Sequence, residues 1–232
     1  EEKHNEENGE DNLDGSSQNY SWNCGEEGKT RKKAIQLTRL KQMKNAFSML
    51  LLGAAVPMIL AGDEFGNSQG GNNNPYCLDS PVSWVNWREK KKNEELFAFV
   101  KKVIAFRKDH KILHMPEELK GSDTISCGYP DFSCHSDSAW FCDFAHHSRQ
   151  VGMMYWGTYA QEEESIYIAY NFNWCEQKFA LPTMKEKFEW QVQFSTETVE
   201  KTKRQTEWNL KGEKTFLVPG RTIVVLTGKK QS

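Results

Sequence analysis

The run Val56-Pro57-Met58-Ile59-Leu60-Ala61-Gly62, followed at once by Asp63-Glu64, has the make-up of a fully buried strand. It is short and apolar, with Pro57 near its start and Gly62 at its end. On either side lie helical patterns. From about Thr30 to a stop at Gly53, Ile35, Leu40, Met43, Phe47 and Leu50 recur at mostly three- and four-residue steps. From about Asn93 to His110, Leu96, Phe99, Val100, Val103, Ile104 and Phe106 form a second buried stripe. A lone strand between two helices cannot pair its own backbone groups, and each buried unpaired group costs about 1–3 kcal/mol. Such a strand belongs to a parallel sheet whose other strands lie elsewhere. The first half therefore reads as the last βα unit of a larger α/β domain.

After about Leu113 the period changes to two. Trp140, Cys142 and Phe144 alternate with other residues; so do Val151, Met153 and Tyr155, and Ile166, Ile168, Tyr170 and Phe172. Phe188, Trp190, Val192 and Phe194 follow, then Ile223 and Val225. Five such strands predict an antiparallel sandwich from about Ser122 to Gly228. The fold expected is thus α/β plus all-β, divided into residues 1–112 and 113–232.

The 232 residues carry 30 basic and 32 acidic side chains, a net charge of −2, so no overall field points to nucleic acid. The longest apolar run, Phe47 to Ala61, is interrupted by Ser48, Gly53 and Pro57 and falls short of the roughly 20 residues that span a bilayer. With 8 Trp, 7 Tyr and 13 Phe the chain is far too aromatic to be disordered. The 6 cysteines have no CxxC or zinc spacing, which predicts reduced thiols and a cytoplasmic setting. No metal site, cofactor, nucleic-acid or membrane partner is expected. The acidic, polar start is no signal peptide, and the chain reads as the interior of something longer.

Candidate chemistry is sparse. Residues 1–28 hold nine acidic side chains against the single Lys3 and lack apolar periodicity, as in a long loop that is either functional or disordered. Asp11 and Asp14 there read as solvated loop charges, because no glutamate closes a calcium loop. Asp63 and Glu64 close a strand, where α/β domains place functional groups. As strand neighbours they would point to opposite faces, so they read as a structural or substrate-lining pair rather than a catalytic one. His4, Asn5 and Trp22 could offer an imidazole, an amide and a flat ring to a polar ligand such as a sugar.

The motifs then carry a resemblance. Lys3-His4-Asn5-Glu6 through Asn8-Gly9-Glu10, Asp14-Gly15 and Asn19-Tyr20-Ser21-Trp22-Asn23-Cys24-Gly25-Glu26-Glu27-Gly28 resemble the stretch after barrel strand seven of glycogen debranching enzymes and isoamylases. These enzymes are members of the α-amylase superfamily, glycoside hydrolase family thirteen. Pro57–Phe65 resembles that family's eighth barrel strand. Gln69-Gly70-Gly71-Asn72-Asn73-Asn74-Pro75-Tyr76-Cys77 resembles the loop after it, and Val82–Trp87 the segment before the last barrel helix. Pro130-Asp131-Phe132-Ser133, with His135, is similar to the linker into a C-terminal β-domain, closest to pullulanase or debranching sequences. Asn12-Leu13-Asp14 departs from the usual Asn-Arg-Asp.

The resemblance implies the last βα elements of a (β/α)8 TIM barrel followed by a C-terminal β-sandwich. It implies a hydrolase acting on α-1,6 branch points of glycogen, starch or pullulan. It also implies that none of the catalytic carboxylates lies in this chain. His4, Asn5, Trp22, Asp63 and Glu64 become the expected cleft-side positions. The rival readings are a non-catalytic carbohydrate-binding or stabilising module, and a subunit that complements a separate N-terminal part.

The apolar run and the stripes of both helices lack the rest of their sheet, and each such side chain left in water forfeits about 1.5–3 kcal/mol. The isolated chain is therefore expected to self-associate through residues 30–110, or to repack those helices onto the β-domain, with loop 1–28 mobile. Light scattering over a dilution series checks this. A strictly monomeric chain with the 56–61 segment as exchange-protected as a core strand would overturn it.

Overall fold

The computed structural model describes residues 1–200 and 205–230. Residues 201–204 and 231–232, both inside the expected 113–232 domain, lie outside the described residues. Two compact units emerge: Glu1–Lys44 with Met58–Lys102, and Asn45–Pro57 with the described part of Val103–Ser232.

Both long helices form where the apolar spacing puts them: α1 at Lys33–Leu52 and, after the short α2 at Arg88–Lys92, α3 at Glu94–Asp109. Glu94 and Glu95 open α3 and Arg107 and Lys108 close it, matching its dipole. Arg107 also ends α1. Its buried guanidinium donates to the carbonyls of Leu51 at 2.8 Å, Gly53 at 2.5 Å and Ala55 at 2.8 Å, taking up acceptors that a helix end leaves free. No described helix is long and apolar enough to cross a membrane.

The expected strand at Val56–Ala61 is corrected. The segment has no regular structure and joins no ladder among the described residues, and Val56 and Met58 are 94% and 88% exposed. Its composition suits a strand, but a strand also needs partners for its backbone groups.

The later half is β-rich and antiparallel. Strands β1 (Phe132–His135), β2 (Gln150–Tyr155), β3 (Ser165–Asn171), β5 (Phe188–Ser195) and β7 (Thr222–Lys230) form a sheet in the order β1-β2-β3-β7-β5. Strands β4 (Gln177–Ala180) and β6 (Thr215–Val218) pair as a second sheet. The two sheets share one core. Tyr167 and Ala169 of β3 and Val224 and Leu226 of β7 pack with Phe179 of β4 and Phe216 and Val218 of β6. Tyr167 donates its hydroxyl to the Ala180 carbonyl at 2.9 Å. Gly152 makes room for that ring, since a Cβ there would meet the Tyr167 oxygen at 2.0 Å.

The alternation Ile166, Ile168, Tyr170 and Ile223, Val225 lies on the other face of the sheet, which is buried as well. A bulge between Val192 and Phe194 switches β5 between faces. Trp190 stays with the shared core, while Phe194 meets Phe106 edge-on at 5.3 Å. Among the described residues, Trp140, Cys142 and Phe144 form no strand, contrary to the alternation. Trp140 takes a left-handed φ of 63° and donates its N–H to His135 Nδ1 at 2.8 Å, which turns the chain.

His135 is fully buried, with its Nε2 2.8 Å from the Ser133 hydroxyl. Burial lowers its pKa to about 4, from 6.5. Between those values the unfolded chain binds a proton that the folded chain refuses. This group's contribution is therefore intact above the unfolded value and is lost as pH falls through the window, by about 2–3 kcal/mol at the lower end. The urea midpoint of the wild type is expected to drop steeply over this range. His135→Asn, which keeps an acceptor for the Trp140 N–H, is expected to flatten that drop. Equal losses in both proteins would refute the assignment.

Candidate functional site

The site is built in the first unit from two irregular segments, residues 1–28 and 66–79. Residues 6–8 form a single 3-10 turn, and the rest of the first segment has no regular structure. Arg39 of α1 holds the end of this segment. Its Nε and Nη2 donate to the Asn23 carbonyl at 3.1 Å each, Nη1 donates to the Gly28 carbonyl at 2.6 Å, and Nη2 also donates to the Glu26 carbonyl.

Side-chain amides join the two segments. Asn5 is fully buried. Its Nδ2 donates to the Asp14 carbonyl at 3.0 Å and to Asn73 Oδ1 at 2.9 Å, and its Oδ1 accepts the Asn73 N–H at 3.0 Å. Asn8 Nδ2 donates to Asp14 Oδ2 at 2.7 Å and to the Asn74 carbonyl at 2.9 Å. Asn72 Nδ2 donates to Asn8 Oδ1 at 2.8 Å, and Asn74 Nδ2 to Asp14 Oδ2 at 2.9 Å. The amides of Asn8 and then Asn74 hold the Asp14 carboxyl below the usual carboxylate range. Asp14 is thus no solvated loop charge.

The predicted positions divide. His4 donates its N–H to the Gly71 carbonyl at 2.9 Å and leaves its imidazole partly exposed. Asn5 has every polar side-chain atom bonded inside the protein, so it supports the surface from beneath and does not face it. Trp22 is 48% exposed. Asp63 and Glu64 lie not at a strand end but in a 3-10 turn, Asp63–Phe65, between the left-handed Gly62 and Gly66. Glu64 Oε2 accepts the Gly62 N–H at 2.9 Å. The Asp63 side chain is exposed, yet its carboxyl is shifted upward, first by desolvation and then by the like charge of Glu64. Phe65 anchors the turn, buried with its ring 5.6 Å from that of Trp87. The amide network unites His4 and Asn5 with residues 71–74, and the bond made by Glu64 stays within its own turn. No described group of three or more His, Cys, Asp or Glu side chains could hold a metal ion.

Comparison with known proteins gives the chain's relatives. The glycogen operon protein GlgX homolog of Mycobacterium tuberculosis is 47% identical over 119 residues, 51% of this chain and 16% of that protein. The maize isoamylase SU1 is 33% identical over 199 residues, 82% of this chain and 23% of that protein. The chain resembles the C-terminal part of debranching-type proteins of the α-amylase superfamily. No family model matches it. Among solved structures, a Paenibacillus barengoltzii pullulanase complexed with maltohexaose and α-cyclodextrin aligns with a TM-score of 0.61 and 22% identity. That alignment covers 83% of this chain and 26% of the pullulanase. A Bacillus acidopullulyticus pullulanase aligns with a TM-score of 0.59 over 85% of this chain and 21% of its own. At these identities the structures speak to the fold alone. The chain spans about a sixth to a quarter of the length of these debranching-type relatives.

Asn8, Asp14 and the Asn72–Asn74 run carry the junction without having been singled out as site residues. Their signal in the sequence was the density of amides beside glycines. Gly15 explains the spacing: at its φ of 68° an added Cβ would lie 2.2 Å from Asn73 Oδ1 and 2.7 Å from Asn5 Nδ2. Gly15→Ala is therefore expected to part the segments, raising amide exchange at 71–74 about tenfold or more while the β-strands keep their protection. Unchanged exchange at 71–74 would count against the close approach.

Proposed function

We propose that the chain is the C-terminal portion of a glycoside hydrolase that cleaves α-1,6-glucosidic branch points in glycogen or starch, and that this portion lacks the catalytic carboxylates. The observation that carries the reading is the identity to the GlgX homolog over half of the chain. The joined segments 1–28 and 66–79 support it, being loops fixed at one end of helical elements, where barrel enzymes build clefts. In this reading residues 1–112 are the last βα elements of a (β/α)8 barrel. The exposed Val56–Ala61 segment is the barrel strand without its neighbours, and residues 113–232 are a β-sandwich.

An α-glucan such as glycogen, starch or pullulan is the partner. His4, Trp22, Asp63 and Glu64 line the cleft, and Asn5 holds His4 in place. The six free thiols fit a reducing, cytoplasmic setting. Self-association of the isolated chain follows from the uncovered apolar segment. Retaining hydrolysis needs two carboxyl groups about 5–5.5 Å apart, one as nucleophile and one as acid. The rest of the hydrolase supplies both, and this portion supplies binding surface.

The chain alone is therefore expected to release no reducing sugar from glycogen or pullulan, while the intact hydrolase does. Sugar release by the purified chain that disappears on Asp63→Ala or Glu64→Ala would overturn the division of labour. An intact protein inert on every branched glucan would overturn the activity.

A further inference from the structure

Asp14 is the one carboxylate within the amide network, and its two oxygens have opposite environments. Oδ2 accepts one N–H from each segment, Asn8 at 2.7 Å and Asn74 at 2.9 Å. Oδ1 is sealed from solvent and has no hydrogen-bond partner among the described residues. A carboxylate kept from water on one side depends on the donors at its other oxygen, and bonds to a charged acceptor are roughly twice as strong as neutral ones. The donors depend on it in turn. Asn8 and Asn74 present N–H groups toward Asp14, so without the carboxylate two part-buried amides lose an acceptor. Because the groups facing Oδ2 are N–H donors, the place is not a cation site.

We propose that Asp14 is a positioning residue for the α-glucan cleft: its Oδ2 locks Asn8 of the first segment to Asn74 of the second, so that both present one rigid ligand-facing surface. The proposal rests on the function proposed above. Its reach follows from the bonds already described. With Asn8 fixed, Asn8 Oδ1 fixes Asn72, and the neighbouring Gly71 carbonyl receives the N–H of His4. Gly71 allows this contact, since a Cβ there would sit 2.7 Å from the His4 ring. His4, Asn73 and Tyr76 are exposed along these segments: an imidazole, an amide fixed by Asn5 and Ser16, and a flat ring, groups that suit a sugar. Leu13 is exposed beside Asp14 and takes no part, which makes it the control position.

The test has a structural and a kinetic arm. In the 232-residue chain, hydrogen exchange is followed at residues 71–74 and at the β3 residues 165–171, with side-chain amide signals read for Asn8 and Asn74. Asp14→Ala is expected to speed exchange at 71–74 about tenfold or more and move both amide signals to their exposed positions, with β3 unchanged. Asp14→Asn keeps one acceptor oxygen and is expected to restore part of the protection, while Leu13→Ala changes nothing. In the intact hydrolase acting on pullulan, Asp14→Ala is expected to raise KM about fivefold or more with kcat within about twofold, and Asp14→Asn to recover part of that loss. Unchanged exchange at 71–74 in Asp14→Ala overturns the lock. Faster exchange with unchanged KM, or a fall confined to kcat, overturns the link to the cleft. A wild-type hydrolase without activity on pullulan or glycogen defeats the proposed function and with it the cleft role, and the exchange arm still decides whether Asp14 joins the segments.

Discussion

The β3–β7 ladder is buried on both faces, and the β-rich part is arranged around that fact. Each residue pair along it, from Ser165 opposite Gly228 to Asn171 opposite Thr222, sits between two covers. One cover is the second sheet, which brings Phe179, Phe216 and Val218 onto Tyr167, Ala169, Val224 and Leu226. The other face takes Ile166, Ile168, Ile223 and Val225 out of water. A strand pair sealed in this way must have every backbone group paired within the sheet, because no water reaches it. Polar groups at its margin are matched individually. Thr196 receives the Ile223 N–H and donates to Asn45 Oδ1, and Asn45 Nδ2 donates to the Arg221 carbonyl. Asn45 is thus a buried polar residue on an apolar stretch of α1 for a stated reason.

The double burial explains which features were legible in the sequence. The helices were, because their apolar steps are long and regular. Strands β2, β3, β5 and β7 were also found, because aromatic and branched residues mark them. The facing was not, since a strand covered on both sides has no polar face from which to read its phase. The residues between the alternating apolar ones, Tyr167 and Ala169 among them, turn out to make the shared core. Strands β4 and β6, four residues each, are too short to show a period. Trp140, Cys142 and Phe144 alternate without being a strand, because a hydrogen bond to a buried imidazole, invisible in a linear pattern, bends the chain there.

The segment Val56–Ala61 separates composition from structure. Its residues have a strand's apolar character, but a ladder is a property of at least two segments. Val56, Met58 and Leu60 stay exposed, and among the described residues no neighbouring segment pairs with them. The short turn that follows, pinned by Phe65 against Trp87, keeps Asp63 and Glu64 together at its end.

For the candidate site the legible part was an imidazole, an indole, two carboxylates and one amide, that of Asn5. What joins them to the fold is chemically plainer. An amide side chain donates and accepts at once and carries no charge to desolvate, so several can cross-link irregular chain where charged pairs would each bear a desolvation cost. Each amide brings two donors and an oxygen with two lone pairs, and backbone carbonyls such as those of Asp14 and Asn74 accept some of the N–H groups. One carboxylate adds acceptor sites without adding a donor, and its Oδ2 accepts from both segments. The single acid among these five asparagines sits where Asn8 and Asn74 converge, and Gly15 stands beside it because the two segments approach too closely there for any side chain. The arrangement matches donors against acceptors. The exposed His4 imidazole and Tyr76 ring stand outside these amide bonds, whereas Asn73 is held by Asn5 and Ser16.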